Sequence, residues 1–262
     1  MTEPAADVYT FGTSSTAAHR LDLLADVYAA GTRALLTRHC PAAPAHAVDL
    51  GCGPGHSTRL LHAVTGAERT TGVERSADFL DLARARPEPG IGYVQADVAQ
   101  EPIPVDPADL VHARFLLTHL AAPLRSIRIW AGLLRPQGRL VLSEVARLVS
   151  REPALGRYYE MVAELQQYHD QALDVGRRLA EMGQESGLRI EHQVIRPWHP
   201  PIAEMAALHV LNLRTWRDGR YATAAFDPDE LDALDEALVA IARGGPSEPI
   251  EQDIAELVLV AD

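Results

Sequence analysis

The stretch VDLGCGPGHSTRLL, Val48 to Leu61, constrains the fold more than any other part of the chain. A short apolar run with one acid leads straight into glycines at 51, 53 and 55, and an amphipathic stretch follows at once. Glycine loses more conformational freedom on folding than any other residue, so three so close together imply a backbone that turns through positive φ or approaches something closely. A strand that ends in Gly-x-Gly-x-Gly and opens a helix presents bare amides at a helix N-terminus. Open α/β sheets bind ligands at that carboxyl end, beside the point where strand order reverses.

The surrounding pattern fits such a sheet. HAVDL reads as a short buried strand and Ser57 to Val64 as a helix; TTGVE is a second strand and SADFLDLARAR a second helix, capped by Ser76 and stopped by Pro87. IGYVQAD and the Leu110–Val111 region of PADLVHARF continue as strands. PLRSIRIWAGLLR reads as a helix with Leu124, Ile127, Trp130 and Leu134 on one side, and RLVLSEV as the next strand. Strand–helix alternation of this kind argues for a parallel sheet covered on both faces. Leu21 to His39 has helical spacing ahead of it. After Val145 the rhythm changes: residues 151–172 look helical, VGRRLAEMGQESG leads to a strand LRIEHQVI, a helical and irregular region follows from Arg196, and IAELVLVA closes the chain as a strand.

Two nucleotide readings compete for the glycine run. The dinucleotide fingerprint Gly-x-Gly-x-x-Gly needs its third glycine where this chain has His56, whose ring would crowd strand–helix packing. Acids also follow the strands: Asp49 just before the run, Glu74 at the end of the second strand and Asp97 after the third. A carboxylate at 49 repels a pyrophosphate and attracts a cation, Glu74 is suited to a pair of ribose hydroxyls, and Asp97 to an exocyclic adenine amine.

The series VDLGCGPGHST, TGVERS, VQADV, ADLVHARFLLTHL and LLRPQGRLVLSE, over about Ala47 to Val145, resembles the class I S-adenosylmethionine-dependent methyltransferases. The resemblance implies an α/β, Rossmann-like sheet of seven strands in order 3-2-1-4-5-7-6 with the seventh antiparallel, LRIEHQVI and IAELVLVA supplying the last two. It implies a single methyltransferase domain over 1–262, with N-terminal cap helices at 1–40, a cofactor-binding core at 41–150 and helical substrate-lid insertions at 151–175 and 197–250. S-adenosyl-L-methionine is the implied cofactor and S-adenosyl-L-homocysteine the product. Carried over residue by residue, Gly51, Cys52 and Gly53 would line the methionine and ribose, and Asp49 would hold the loop or reach the amino group through water. Glu74 would bind the ribose hydroxyls, Arg75 would lie along the adenine, Asp97 and Val98 would read its edge, and Ala113 and Arg114 would contact the methionine part. YTFGTSSTAAHRL resembles an opening segment of bacterial small-molecule members, with Tyr9 and Arg20 closing over the cofactor.

Methyl transfer is an in-line displacement that needs alignment, exclusion of water and, where the acceptor holds its proton, a base. His119, just beyond the fourth strand, is the candidate base; Glu144, at the end of the fifth, is expected to face the cleft. Tyr158, His209, Asn212 and Trp216 are the candidate acceptor contacts. The eleven histidines show no metal-ligand spacing, so no metal is expected. A net charge of -12 and HARF in place of an Asn/Asp-Pro-Pro signature argue against nucleic acid. The expected partner is a small organic acceptor of bacterial specialised metabolism, handled by a monomer or homodimer away from any membrane. No apolar run nears the roughly 18 residues of a span, no basic-then-apolar leader opens the chain, and Cys40 and Cys52 make no disulfide framework, so a cytoplasmic setting is expected. The alternatives are a cofactor-binding pericyclase or cyclase of the same fold, an NAD-dependent oxidoreductase, and a non-enzymatic cofactor sensor.

Overall fold

The central strand β1 (His46–Leu50) is buried along its whole length, as expected of a parallel strand covered on both faces. In the computed structural model, which describes residues 15–262, β1 pairs in parallel with β2 (Arg69–Glu74) on one side and β4 (Ala108–Arg114) on the other. Tyr9 lies outside the described residues. β3 (Ile91–Gln95) extends the sheet beyond β2, and β5 (Leu134–Ser150) runs parallel to β4. β7 (Ile250–Val260) is antiparallel to both β5 and β6 (Arg189–Trp198). The seven-stranded order is β3-β2-β1-β4-β5-β7-β6, as the motif series implies. The glycine run therefore lies at the β1/β4 reversal of strand order.

Helices cover both faces. α1 (Ser15–His39) and α2 (His56–Thr65) bury Leu36 and Leu61 against Leu110, Val141 and Val258. On the other face α4 (Pro123–Ala131) and α6 (Leu179–Glu185) pack Ile127, Trp130 and Met182 against Leu142 and Leu257. α3 (Ala77–Arg84) starts as expected at Ser76, whose Oγ accepts the Phe79 amide at 3.3 Å.

Four of the helices after β5 share a third apolar core. α5 (Pro153–Tyr168), α7 (Ile202–Trp216), the single turn α8 (Ala222–Ala225) and α9 (Pro228–Ala242) pack Tyr158, Met161, Leu213 and Leu238 together with Val27 and Tyr28 of α1. Their support is the β5–β7 ribbon, which continues past the parallel sheet to the Ser150–Ile250 pair through a bulge between Val145 and Arg147. Two sequence expectations change here. β5 outruns RLVLSEV at both ends, and the α4 helix stops at Ala131, so that Leu134 pairs with Ala108 in the sheet instead of lining a helix face.

Leu213 is fully buried in this third core. Leu213→Ala should cost about 2–5 kcal/mol, as buried Leu truncations do, and should shift one cooperative urea transition of the whole chain. A loss below about 1 kcal/mol, or a separate early transition, would contradict a lid core continuous with α1.

Candidate active site

The loop after β1 turns through positive φ at Gly51, Gly53 and Gly55, with φ of 63°, 51° and 83°. A Cβ at Gly51 would strike the Leu116 side chain, and one at Gly55 would strike Tyr93 and Arg59. The loop is fixed from below by Asp49. Its Oδ2 accepts hydrogen bonds from Ser57 Oγ at 2.6 Å and Thr58 Oγ1 at 2.8 Å, and its Oδ1 lies 2.8 Å from His112 Nδ1. Glu74 fixes it from the side, accepting the Gly53 amide at 3.0 Å and the Ser76 amide at 2.8 Å. Asp97 accepts the Ala99 amide at 2.9 Å beside buried Val98.

A cavity of about 450 Å³ opens above this loop and runs under the lid helices. The structure brings together on its wall Asp49, Gly51, Cys52 and Gly53, the outer acids Glu74 and Asp97 with Arg75 and Val98, and Arg20, Arg114 and His119. Tyr158, His209 and Asn212 line the lid side. Arg114 also donates to Thr32 Oγ1 at 2.8 Å, and burial pulls its pKa down.

Three expected residues do not line the cavity. Ala113 is fully buried in the core on the α4 side, because neighbouring strand residues point to opposite faces, so only its backbone is left for a ligand. Glu144 does not face the cleft: its Oε1 accepts the amides of Leu116 and Leu117, each at 2.8 Å, and so shapes the turn after β4. Burial raises its pKa to about 8 against the lowering effect of those amides. Trp216 packs behind the wall, its ring 6.5 Å from Tyr158 and 5.9 Å from Phe226.

His119 lines the cavity but makes a poor base. Burial, and then the charge of Arg20, lower its pKa to about 3, so it takes up a proton roughly a thousandfold less readily than an ordinary imidazole. Burial likewise holds His209 at about 3. The His209 ring stacks on Tyr158 at 4.4 Å, and its Nε2 lies 3.0 Å from Tyr159 Oη.

Two buried polar atoms of this lid side, His209 Nδ1 and Gln166 Oε1, have no hydrogen-bond partner among the described residues, and Tyr158 Oη lies within hydrogen-bonding reach of Asn212 and Trp216. Buried polar groups are nearly always satisfied, so the two unpartnered atoms mark a place where a polar ligand completes the set. Gln166 was not among the sequence candidates, and neither was His112. A polar residue in each of two adjacent buried strands, Asp49 facing His112 in register, is the signal by which the latter was open to recognition. Among the described residues no group of three or more His, Cys, Asp or Glu is placed to hold a metal, and no helix is long and apolar enough to cross a membrane.

A family model described as a methyltransferase domain matches residues 48–142. The trans-aconitate 2-methyltransferase of Rhodopseudomonas palustris strain BisB18 is 34% identical over 134 residues, 48% of this chain and 52% of that protein. The one from Methylobacterium nodulans is 42% identical over 108 residues, 41% of each. The chain thus spans about half the length of these curated relatives or less. Among solved structures, phosphoethanolamine N-methyltransferase 2 of Haemonchus contortus, with phosphomonomethylethanolamine and S-adenosylhomocysteine bound, superposes with a TM-score of 0.60 at 16% identity, covering 92% of this chain and 57% of that one. The [4+2]-cyclase SpnF gives 0.56 at 18% identity, covering 89% and 81%. Residues 48–142 thus match a methyltransferase-domain model, and the chain shares the fold of these solved structures.

The Glu144 environment has a measurable consequence. Below its ordinary value of 4.5 the carboxyl is protonated in both folded and unfolded chains and adds no pH dependence. From there to about 8 the unfolded chain releases a proton that the folded chain keeps, so this group lowers stability by roughly 1.4 kcal/mol per pH unit. Above about 8 the effect levels off. Glu144→Gln keeps a carbonyl for the two amides and has nothing to titrate. Urea unfolding between pH 5 and 9 should show the variant gaining on the wild type as pH rises; parallel curves would contradict the buried, neutral carboxyl.

Proposed function

We propose that the protein binds S-adenosylmethionine and transfers its methyl group to a small organic acceptor enclosed by the lid. The observation that carries this reading is one continuous cavity joining the glycine loop and its three acids to a lid-side compartment with unpartnered polar atoms. Backbone of Gly51, Cys52 and Gly53 would hold the methionine and ribose, Glu74 the ribose hydroxyls, Asp97 and Val98 the adenine edge with Arg75 along its face, and Arg114 the methionine end. Asp49 would act on the loop, since its oxygens already accept three hydrogen bonds. The cofactor supplies an electrophilic methyl group on a sulfonium, chemistry that calls for alignment rather than a metal. The chain's own part is to hold the reactants together and keep water out, effects worth about 7–11 kcal/mol in favourable cases.

His56 supports this reading over a dinucleotide. It stands where the fingerprint needs glycine, and its Nε2 lies 2.6 Å from Asp22 Oδ1 of α1, tying that helix down beside the glycine loop. Trans-aconitate, for which the curated relatives are named, is the first acceptor to offer. The proposal includes a cytoplasmic setting and an acceptor other than nucleic acid, which a net charge of -12 disfavours.

Calorimetry should record S-adenosylhomocysteine binding and no response to NAD; the reverse pattern would overturn the proposal. Glu74→Ala should weaken S-adenosylhomocysteine binding by about 1.5–3 kcal/mol, the scale of hydrogen bonds to a charged group. Unchanged affinity would remove Glu74 from the ribose site.

A further inference from the structure

We propose that the ring of Phe115 is the partition that closes the acceptor cavity against a second cavity behind it, and so sets the length of apolar acceptor the protein takes. This rests on the methyl-transfer reading and adds the residue that fixes acceptor size.

The second cavity, of about 190 Å³, lies between α1, the end of β4 and the β6–β7 pair. Leu35, Trp198 and Ile254 give it apolar wall, and Arg196 and Glu256, paired at 3.0 Å, belong to it as well. Among the described residues, Tyr28, Arg114 and Phe115 alone line both this cavity and the one of about 450 Å³ above the glycine loop. Phe115 is the middle of the three. Its ring lies 4.7 Å from that of Tyr28, edge to face, and the Arg114 guanidinium stands 5.7 Å over it. These three side chains are the wall between the two spaces.

The backbone explains why a ring stands there. Phe115 is the first residue after β4 and has φ of 52°, in the left-handed region that bulky residues avoid. Its own amide donates to the Ser143 carbonyl at 2.9 Å, and the next two amides, of Leu116 and Leu117, donate to Glu144 Oε1 at 2.8 Å each. With three successive amides held, the side chain leaves the turn in one direction, toward Tyr28 and Arg114.

Of the three wall side chains, Phe115 alone has no polar tie. Tyr28 Oη donates to Gln252 Oε1 at 2.9 Å, and Arg114 Nη1 donates to Thr32 Oγ1 at 2.8 Å. Removing the phenyl ring therefore opens the wall while the hydrogen bonds that hold its neighbours persist. Glycine takes a positive φ freely, so Phe115→Gly deletes the ring and keeps the turn. Leu24, Leu148 and Met205 make the acceptor cavity apolar on the near side. An aliphatic chain lying along them ends at Phe115 in the wild type, and without the ring it runs on toward Leu35, Trp198 and Ile254.

The test is calorimetry on the full chain saturated with S-adenosylhomocysteine, titrated with the straight-chain alcohols from butan-1-ol to decan-1-ol. Each methylene buried against apolar wall tightens binding by about fourfold. In the wild type that gain should stop within the series. In Phe115→Gly it should continue for about two further methylenes, so that decan-1-ol binds the variant roughly tenfold more tightly than it binds the wild type. The same end point in both proteins, a wild type that goes on gaining to decan-1-ol, or no binding of any alcohol overturns the inference. Should Phe115→Gly fail to fold, Phe115→Ala removes the same ring and carries the same expectation, and the wild-type series still has to show its end point. Failure of S-adenosylhomocysteine to bind the wild type overturns the methyl-transfer reading, a result distinct from any of these.

Discussion

The site depends on one buried carboxylate. Asp49 is 1% exposed at the end of the central strand and joins three elements: β1, which carries it, α2 through Ser57 and Thr58, and β4 through His112. A charge buried without such partners would cost several kcal/mol. Satisfied in this way, it holds together the two strands and the helix that meet where strand order reverses. The three glycines then turn over a fixed base, and Glu74 and Glu144 set the backbone on either side by accepting amides. Three acidic side chains therefore act first on the protein itself, Asp49 through side chains and Glu74 and Glu144 through backbone amides, and the cavity is shaped by what they hold in place.

Enclosure comes from a different device. The β5–β7 ribbon carries its pairing beyond the parallel sheet, which puts α5 and the α7–α9 helices above the glycine loop instead of beside the sheet. α1 closes the arrangement: Tyr28 packs in the lid core and donates from its hydroxyl to Gln252 Oε1 of β7 at 2.9 Å, while Asp22 of the same helix meets His56 at the start of α2. One helix thus touches the lid, the ribbon and the cofactor loop. The compartment so formed buries His119 and His209, and that burial lowers the pKa of both.

The strand order and the glycine loop were legible because they rest on local signals. Alternation of short apolar runs with amphipathic stretches names a parallel sheet, and glycines between a strand and a helix name its ligand end. The period of two along β4 was equally readable and would have separated Arg114, on the cavity, from Ala113, in the core. His112, facing Asp49 across the sheet, belonged to the same signal. What stayed hidden depends on distant packing. Glu144 stands near the end of a strand motif, but only the turn holding Leu116 and Leu117 reveals that its carboxyl is used there. The weakness of His119 comes from burial and from Arg20, which is about a hundred residues away along the chain. No spacing rule reaches that far.

A crystal structure with S-adenosylhomocysteine bound is the most direct test of a loop organised by Asp49 to receive an adenosyl ligand. The account expects the ribose against Glu74, the adenine beside Asp97 and Val98, and the sulfur turned toward Tyr158, Asn212 and His209, with the Asp49 hydrogen bonds to Ser57, Thr58 and His112 intact. A ligand seated elsewhere, or one that enters by displacing those hydrogen bonds, would contradict it.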